Sequence, residues 1–117
     1  MKTFAGHTEA PRISIDELKK LIEVKSDVII LDARPKEAYV MGHIKGALSF
    51  PWKAEVTDAD TDKLAKDKLI VTYCDCGRGE ADAAGLATQL TGLGFANLKV
   101  LGDPAIGGWK KAGYPME

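Results

Sequence analysis

Short apolar runs and amphipathic stretches alternate along this chain, and the two patterns predict different elements. Residues 28–31 and 69–73 are largely apolar runs rich in β-branched side chains. Such runs are typical of strands covered on both faces, and these strands usually belong to parallel sheets. Shorter strands are predicted at residues 47–50 and 98–101, and an extended segment is predicted around residues 12–13. The strand pattern therefore favours a parallel sheet.

Between the predicted strands, apolar residues recur at helical spacing. Three helices are predicted from this spacing and its end signals, over residues 15–24, over residues 36–41, and from residue 80 to the glycines at 92 and 94. Ser14 and Glu17 have capping-box spacing, and Gly42 is expected to end the second helix in the left-handed conformation. Residues 53–68 are polar, so we expect a loop with a short helix near Leu64. The alternation predicts an α/β domain with helices on both faces of the sheet.

The size and charge of the chain exclude several classes of protein. Its 117 residues suit one globular domain, for which we predict an N-terminal arm over residues 1–11 and a domain over residues 12–117. Sixteen Lys and Arg against seventeen Asp and Glu give a net charge of −1, which would not hold a nucleic acid. The apolar runs are too short to cross a bilayer, and residues 1–11 lack a signal-peptide pattern. We expect no nucleic-acid or membrane partner, and either a cytoplasmic protein or one whose leader peptide has been removed.

The chain has two cysteines, Cys74 and Cys76, with one residue between them. A permanent disulfide across so short a ring would be strained, and without a Cys-x-x-Cys pair we expect neither a metal site nor a cofactor. Cys74 directly follows the predicted strand at residues 69–73 and precedes Gly77, Gly79 and a predicted helix. Ligands of parallel sheets bind beyond the carboxyl ends of the strands, and free N–H groups at a helix start stabilise an anion there. We therefore predict that Cys74 is a thiolate nucleophile rather than an inert buried thiol.

Three groups of residues, in the same order, resemble the signatures of rhodanese-like domains. The first group is Leu31-Asp32-Ala33-Arg34, Glu37, Tyr39, Gly42-His43-Ile44, Gly46-Ala47 and Pro51. The second is Tyr73-Cys74 with Gly77, and the third is Gly102, Trp109 and Ala112-Gly113-Tyr114-Pro115. The resemblance runs from Ile13 to Pro115, nearly the whole chain. It implies a rhodanese-like three-layer α/β sandwich, a five-stranded parallel sheet with helices on both faces.

The resemblance also implies a sulfurtransferase that works by double displacement. Cys74 would take the sulfane sulfur of thiosulfate, a thiol persulfide or a polysulfide, hold it as a persulfide, and pass it to a thiol or cyanide. The loop that would bind the terminal sulfur through backbone N–H groups consists of Asp75, Cys76, Gly77, Arg78, Gly79 and Glu80. The partners would be a small-molecule sulfur donor and a thiol acceptor, or a protein that carries a persulfide. The alternative is a non-catalytic rhodanese-like module that carries sulfur or binds a protein.

The loop departs from the common family pattern at its charged positions. Many relatives carry a basic residue five positions after the cysteine, whereas here Gly79 stands there and Arg78 precedes it. Asp75 and Glu80 add negative charge, which opposes the dianion thiosulfate and favours a thiol persulfide or polysulfide as donor. Related phosphatases need an Arg at the sixth position, so Glu80 argues against phosphate chemistry. Cys76 could resolve the persulfide through a transient disulfide, but we expect it to point away from the pocket.

For the other polar and aromatic residues that could act in a site, we prefer a structural role to a catalytic one. His43 is expected to be a hydrogen-bonded structural residue rather than a base or metal ligand. Asp32 and Arg34 are expected to form ion pairs or hydrogen bonds that fix the turn after their strand. Trp52 and Trp109 are expected to pack in the core rather than to line the pocket.

Overall fold

The computed structural model describes residues 10–117, except residues 76 and 78. The strands in this part of the chain are β1 (Arg12–Ile13), β2 (Ile29–Asp32), β3 (Leu48–Ser49), β4 (Ile70–Tyr73) and β5 (Leu98–Leu101). The α-helices are α1 (Ile15–Glu23), α2 (Lys36–Met41), α3 (Ala81–Gly92) and α4 (Ala105–Lys111), and a 3-10 helix covers Ala59–Thr61. None of these helices is long and apolar enough to cross a membrane.

The five strands form one parallel sheet in the order β1-β5-β4-β2-β3. This confirms the predicted parallel α/β architecture, with β4 at the centre between β2 and β5. The register places Tyr73 beside Asp32, and Asp32 beside Ser49. Strands β4, β2 and β3 therefore end level with one another, and the residues that follow them gather at one edge of the sheet.

Helices cover both faces of the sheet, and successive residues of β4 face opposite layers. Ile70 belongs to the apolar cluster that α3 closes with Leu86 and Leu90. Val71 belongs to the other cluster, which contains Trp109 of α4. All these side chains are fully buried, and removal of such surface from water supplies about 25 cal/mol per Å². The three-layer sandwich is therefore confirmed.

Helix α1 begins with the predicted capping box, and α2 ends at the predicted glycine but in another conformation. Ser14 caps α1, since its Oγ accepts from the Glu17 N–H at 3.0 Å and its N–H donates to the Glu17 carboxylate at 2.9 Å. Gly42 does end α2, but with φ +149° and ψ 132° rather than in the predicted left-handed helical conformation. The chain extends there because the Gly42 carbonyl accepts from Arg34 Nη2 at 2.7 Å.

Two other helices differ from the prediction. The short helix expected near Leu64 is instead the 3-10 helix Ala59–Thr61, which begins where the N–H and hydroxyl of Thr57 donate to the Asp60 carboxylate at 2.8 and 3.1 Å. Helix α4 is missing from the sequence prediction because its two central glycines have low helix propensity. It forms because tertiary packing buries its apolar side chains, including Trp109.

A buried ion pair fixes the turn after β2. Asp32 is 0% exposed and accepts from Arg34 N at 2.9 Å, Nε at 3.0 Å and Nη2 at 2.8 Å, and from the Tyr73 hydroxyl at 2.7 Å. Arg34 also donates to the Gly42 carbonyl, and the Tyr73 hydroxyl accepts from the Ile44 N–H at 3.1 Å. The structural role predicted for Asp32 and Arg34 is therefore confirmed, and their network joins β2, β4 and the segment after α2.

The same surroundings keep the Tyr73 hydroxyl protonated. Burial raises the pKa of Tyr73 well above its ordinary value of 10.0, and donation to the Asp32 carboxylate adds to the rise. In the unfolded chain this proton is lost near pH 10, so above that pH the unfolded state binds fewer protons than the folded state. Linkage then makes the free energy of unfolding fall as the pH rises above about 10.

We expect Tyr73→Phe to lower the free energy of unfolding near neutral pH by about 1–3 kcal/mol, because buried Asp32 loses a donor. Above about pH 10 the variant should lose stability less steeply than the wild type, because its buried ring no longer titrates. Urea unfolding followed by circular dichroism at several pH values measures both effects. An unchanged pH slope would show that another group is responsible.

Two adjacent glycines of α4 should respond in opposite directions to alanine. A Cβ at Gly108 would lie 2.6 Å from Pro104 Cγ, so Gly108→Ala should destabilise the fold by about 1–3 kcal/mol. A Cβ at Gly107 would meet nothing within 4 Å, so alanine there should stabilise the helix by about 0.5–1 kcal/mol. Thermal unfolding measures both, and effects of the same sign would contradict this packing argument.

Candidate active site

Cys74 lies at the carboxyl end of β4, at the edge where β2 and β3 also end. Sheet pairing continues to that point, because the Ala33 N–H donates to the Tyr73 carbonyl at 2.8 Å. The cysteine is 1% exposed and belongs to the apolar cluster beneath α3, with Ala33 and Ala83. Thr72 Oγ1 donates to the Ala83 carbonyl at 2.9 Å, which fastens the strand to the first turn of that helix. The cysteine therefore stands between a strand end and a helix start.

A tightly curved loop connects Cys74 to α3. Gly77 and Gly79 have φ values of +84° and +97°, which side chains rarely permit, and Glu80 follows with φ +47°. The Glu80 N–H donates to the Gly77 carbonyl at 2.9 Å and closes the loop on itself. Residues with positive φ can turn backbone N–H groups toward one side of a loop, an arrangement that binds anions. Asp75, at the start of the loop, is exposed.

Cys76 and Arg78, which the sequence analysis also assigns to the loop, lie outside the described residues. Their contribution to binding a terminal sulfur stays a prediction. The choice between an inert and a resolving Cys76 stays open in the same way. The described part of the loop consists of Asp75, Gly77, Gly79 and Glu80.

The Glu80 carboxylate does not stand free beside the loop. Its Oε1 accepts from Arg12 Nε at 2.8 Å, and its Oε2 accepts from the Asp103 N–H at 2.7 Å. The expectation that Glu80 adds unpaired negative charge is therefore wrong, because an ion pair offsets that charge. The Glu80 N–H is also engaged, with the Gly77 carbonyl, so it is not free to hold a sulfur. Of the two acidic loop residues, Asp75 alone is exposed.

Sequence reasoning missed Arg12 and Asp103 as parts of this region. Arg12 is 68 positions from Glu80 in the chain, and its strand is too short for the sequence to reveal its place in the sheet. Asp103 contributes a backbone N–H, which has no sequence signature. The sequence gives no signal for this pairing, because acidic residues such as Glu80 and Asp82 are common at a helix start and need no cation there.

The structural interpretation holds for His43 and for one of the two tryptophans. His43 Nδ1 lies 3.0 Å from the Tyr39 carbonyl oxygen, and the two rings stack with centroids 3.8 Å apart. Trp109 is fully buried, as predicted, and its indole N–H donates to the Pro115 carbonyl at 2.7 Å. Trp52 is 44% exposed, so the core position expected for it is wrong.

Trp52 borders a cavity of about 320 Å³ beside the end of β3. The cavity is lined by Ser49, Phe50, Pro51, Trp52, Lys53 and Asp60. The Trp52 indole leans on α3 where Gly85 has no side chain, since a Cβ there would lie 2.9 Å from Nε1. Gln89 of α3 accepts from the Val56 N–H at 2.6 Å and donates to the Lys53 carbonyl at 2.8 Å. The segment after β3 is therefore fixed as a wall at the carboxyl edge of the sheet.

This edge of the sheet combines a buried thiol with a loop of positive-φ residues. Among the residues that the structure describes, no three His, Cys, Asp or Glu side chains form a group that could hold a metal ion. A thiolate stabilised by backbone N–H groups and a helix dipole can attack an electrophilic sulfur and keep it covalently.

Comparison with known proteins places the sequence in a family. A sequence model of the rhodanese-like domain matches residues 14–112. A curated protein of Candida albicans, the adenylyltransferase and sulfurtransferase UBA4, is 27% identical over 122 aligned positions. The match covers 94% of this chain and 26% of UBA4, so the chain spans about a quarter of that relative's length.

Solved structures share the fold. The BH2092 protein of Bacillus halodurans has a TM-score of 0.81 and 30% identity, over 92% of this chain and 77% of its own. The rhodanese-like domain of Alr3790 from Anabaena sp. has a TM-score of 0.76 and 29% identity, over 92% and 78%. A thiosulfate sulfurtransferase from Pseudomonas aeruginosa has a TM-score of 0.71 and 25% identity, over 92% and 20%. With a five-stranded parallel sheet and a family match over residues 14–112, the chain belongs to the rhodanese-like domain family.

Proposed function

We propose that this protein is a sulfurtransferase that carries sulfur on Cys74. The observation that supports this most is a buried thiol at the end of the central strand, followed by a loop of positive-φ residues that leads into α3. UBA4 and the Pseudomonas aeruginosa protein, both similar over more than 90% of this chain, have sulfurtransferase in their names. Since the chain spans only 26% and 20% of those two proteins, the proposal takes over the class of reaction alone.

The proposed reaction is a double displacement at sulfur. The Cys74 thiolate attacks the outer sulfur of a thiol persulfide, the donor's S–S bond breaks, and the donor thiolate leaves with the electron pair. Cys74 then holds the sulfur as a persulfide anion. An acceptor thiolate attacks this outer sulfur, the S–S bond to Cys74 breaks, and the Cys74 thiolate returns. The two steps need no external oxidant or reductant, and no general base once the thiolate exists.

The elements around Cys74 provide backbone N–H groups that can donate hydrogen bonds to a bound anion. The first N–H groups of α3 have no partner within the helix, and the positive end of the helix dipole lies at the cysteine loop. Gly77 and Gly79 supply the curvature that lets loop N–H groups converge on one anion.

The charges and shape of this edge favour a thiol persulfide or polysulfide over thiosulfate. Asp75 is exposed at the loop and repels a dianion more than a monoanion. Glu80 does not add to this repulsion, because its carboxylate is paired with Arg12. The wall with Phe50 and Trp52 offers apolar surface that suits an organic donor. We therefore propose a small organic persulfide as donor and a thiol as acceptor.

Intact-mass spectrometry tests the carrier directly. We expect the reduced wild type to gain one sulfur atom after incubation with glutathione persulfide, and a reductant to remove it. Cys74→Ser should gain none, whereas the matched variant Cys76→Ser should load like the wild type. If the folded wild type gains no sulfur from the persulfide or from thiosulfate, the sulfurtransferase proposal fails and the non-catalytic module takes its place.

The donor preference makes a separate prediction for Asp75. Removing its charge with Asp75→Asn should raise the rate of loading from thiosulfate about 2- to 5-fold relative to loading from 2-hydroxyethyl persulfide, whose only charge is on the persulfide. The effect should be small because the Asp75 carboxylate is exposed. Asp27→Asn is the control, since Asp27 precedes β2 at the opposite edge of the sheet. Equal changes for the two donors would contradict the role given to Asp75.

A further inference from the structure

Glu80 is the junction between the cysteine loop and α3. Its N–H donates to the Gly77 carbonyl at 2.9 Å, and its carbonyl accepts from the Ala84 N–H at 2.8 Å, the first hydrogen bond of the helix. Its backbone has φ +47° and ψ +50°, which is uncommon for a residue with a side chain. A displacement of Glu80 would therefore move the end of the loop and the start of the helix together.

The Glu80 side chain connects this junction to β1 and to the segment after β5. The residue is 6% exposed, and its two oxygens accept from Arg12 Nε at 2.8 Å and from the Asp103 N–H at 2.7 Å. Arg12 lies in β1, and Asp103 follows β5, the strand beside β4. Arg12 Nη2 also reaches the Gly79 carbonyl at 3.4 Å. The end of the loop is thus held by groups from two other elements.

The start of the loop is held by the sheet itself, through the bond from the Ala33 N–H to the Tyr73 carbonyl. With both ends fixed, the backbone of Asp75, Gly77 and Gly79 is held in place before any ligand binds. We propose that the Glu80 carboxylate, bound by Arg12 and the Asp103 N–H, is the positioning residue that aims the cysteine loop at the sulfur on Cys74. This inference rests on the proposed sulfur transfer and assigns to Glu80 a role in it.

The two partners explain why a carboxylate is needed at this place. Both groups that face Glu80 are donors, and a carboxylate offers two acceptor oxygens. In Glu80→Gln, the amide NH₂ would face either the guanidinium or the Asp103 N–H, so one buried contact would become donor against donor. Because both oxygens are engaged, the carboxylate acts through the loop and not on the donor.

A cavity beside Arg12 and Asp103, the two partners of Glu80, makes the role of the carboxylate testable by chemical rescue. This cavity, of about 320 Å³, is lined in part by Arg12, Gly102 and Asp103. In Glu80→Gly the backbone keeps its positive φ without strain, and the two donors lose their carboxylate. Formate or acetate can then enter from the cavity and bind the donors in its place.

The experiment measures two rates at Cys74 in a Cys76→Ser background, in which Cys74 is the reactive thiol. The first is sulfur loading from glutathione persulfide, followed by intact mass, and the second is alkylation by iodoacetamide. We expect Glu80→Gln and Glu80→Gly to lower both rates about 10- to 100-fold, since small misplacements of catalytic groups cost about that much. Formate should restore a large part of both rates in Glu80→Gly and none in Glu80→Gln.

Glu23→Gln is the matched control, because Glu23 forms an exposed ion pair with Lys19 at 2.7 Å on α1. It should leave both rates unchanged.

Parent-like rates in Glu80→Gln, or slow rates in Glu80→Gly that formate does not raise, would overturn the positioning role. If the Glu80 variants fail to fold, Arg12→Lys, which keeps the charge but not the guanidinium fork, should give intermediate rates, and parent-like rates there overturn the proposal. If the parent itself takes up no sulfur, the proposed function fails, while alkylation still decides the role of Glu80.

Discussion

The carboxyl edge of the sheet depends on the burial of one carboxylate, that of Asp32. A charge with no exposed surface is tolerated only when a counter-charge and hydrogen bonds satisfy it. Asp32 meets this condition with the backbone and guanidinium of Arg34 and the hydroxyl of Tyr73. To pair with Asp32, Arg34 folds back over the strand end, where it also donates to the Gly42 carbonyl. The Tyr73 hydroxyl accepts from the Ile44 N–H, so the network also holds the segment after α2. Removing Arg34 or Tyr73 would leave the buried Asp32 carboxylate with fewer hydrogen-bond donors.

This network reaches the cysteine through the alternation of the strand. Because the Tyr73 side chain points to the layer of Asp32, the next residue, Cys74, points to the opposite layer beneath α3. The loop then returns to the sheet at Glu80, where Arg12 provides the second ion pair. Two carboxylates, each bound by an Arg and by a backbone N–H, therefore frame the cysteine loop. The sheet and the hydrogen bond from Tyr73 to Asp32 hold the start of the loop, and the ion pair of Glu80 with Arg12 holds its end.

What the sequence predicts well are features decided by neighbours along the chain. The continuous apolar runs predict β2 and β4 to within one residue, and the spacing of Ser14 and Glu17 predicts the capping box that starts α1. The position of Cys74 after a buried strand follows from the same runs, together with the family resemblance. Features decided by distant contacts are missed. Helix α4 forms against the weak propensity of its glycines, and Trp52 is exposed because it leans on α3 outside the core. The partners of Glu80 come from β1 and from the segment after β5.

Glu80 stands at the sixth position after the cysteine, and its contacts change the reason to expect no phosphate chemistry at this site. A phosphate dianion needs a guanidinium that grips two of its oxygens, whereas a persulfide carries one charge on a large, polarisable atom that backbone N–H groups can bind. Glu80 occupies this position, but its carboxylate faces Arg12 and Asp103, so it supplies the loop with a fixed end instead of a charge. It disfavours phosphate because it provides no cation there, and not because it repels the ligand. None of the described loop residues Asp75, Gly77 and Gly79 carries a positive charge, so an anion held by them would be bound by backbone N–H groups.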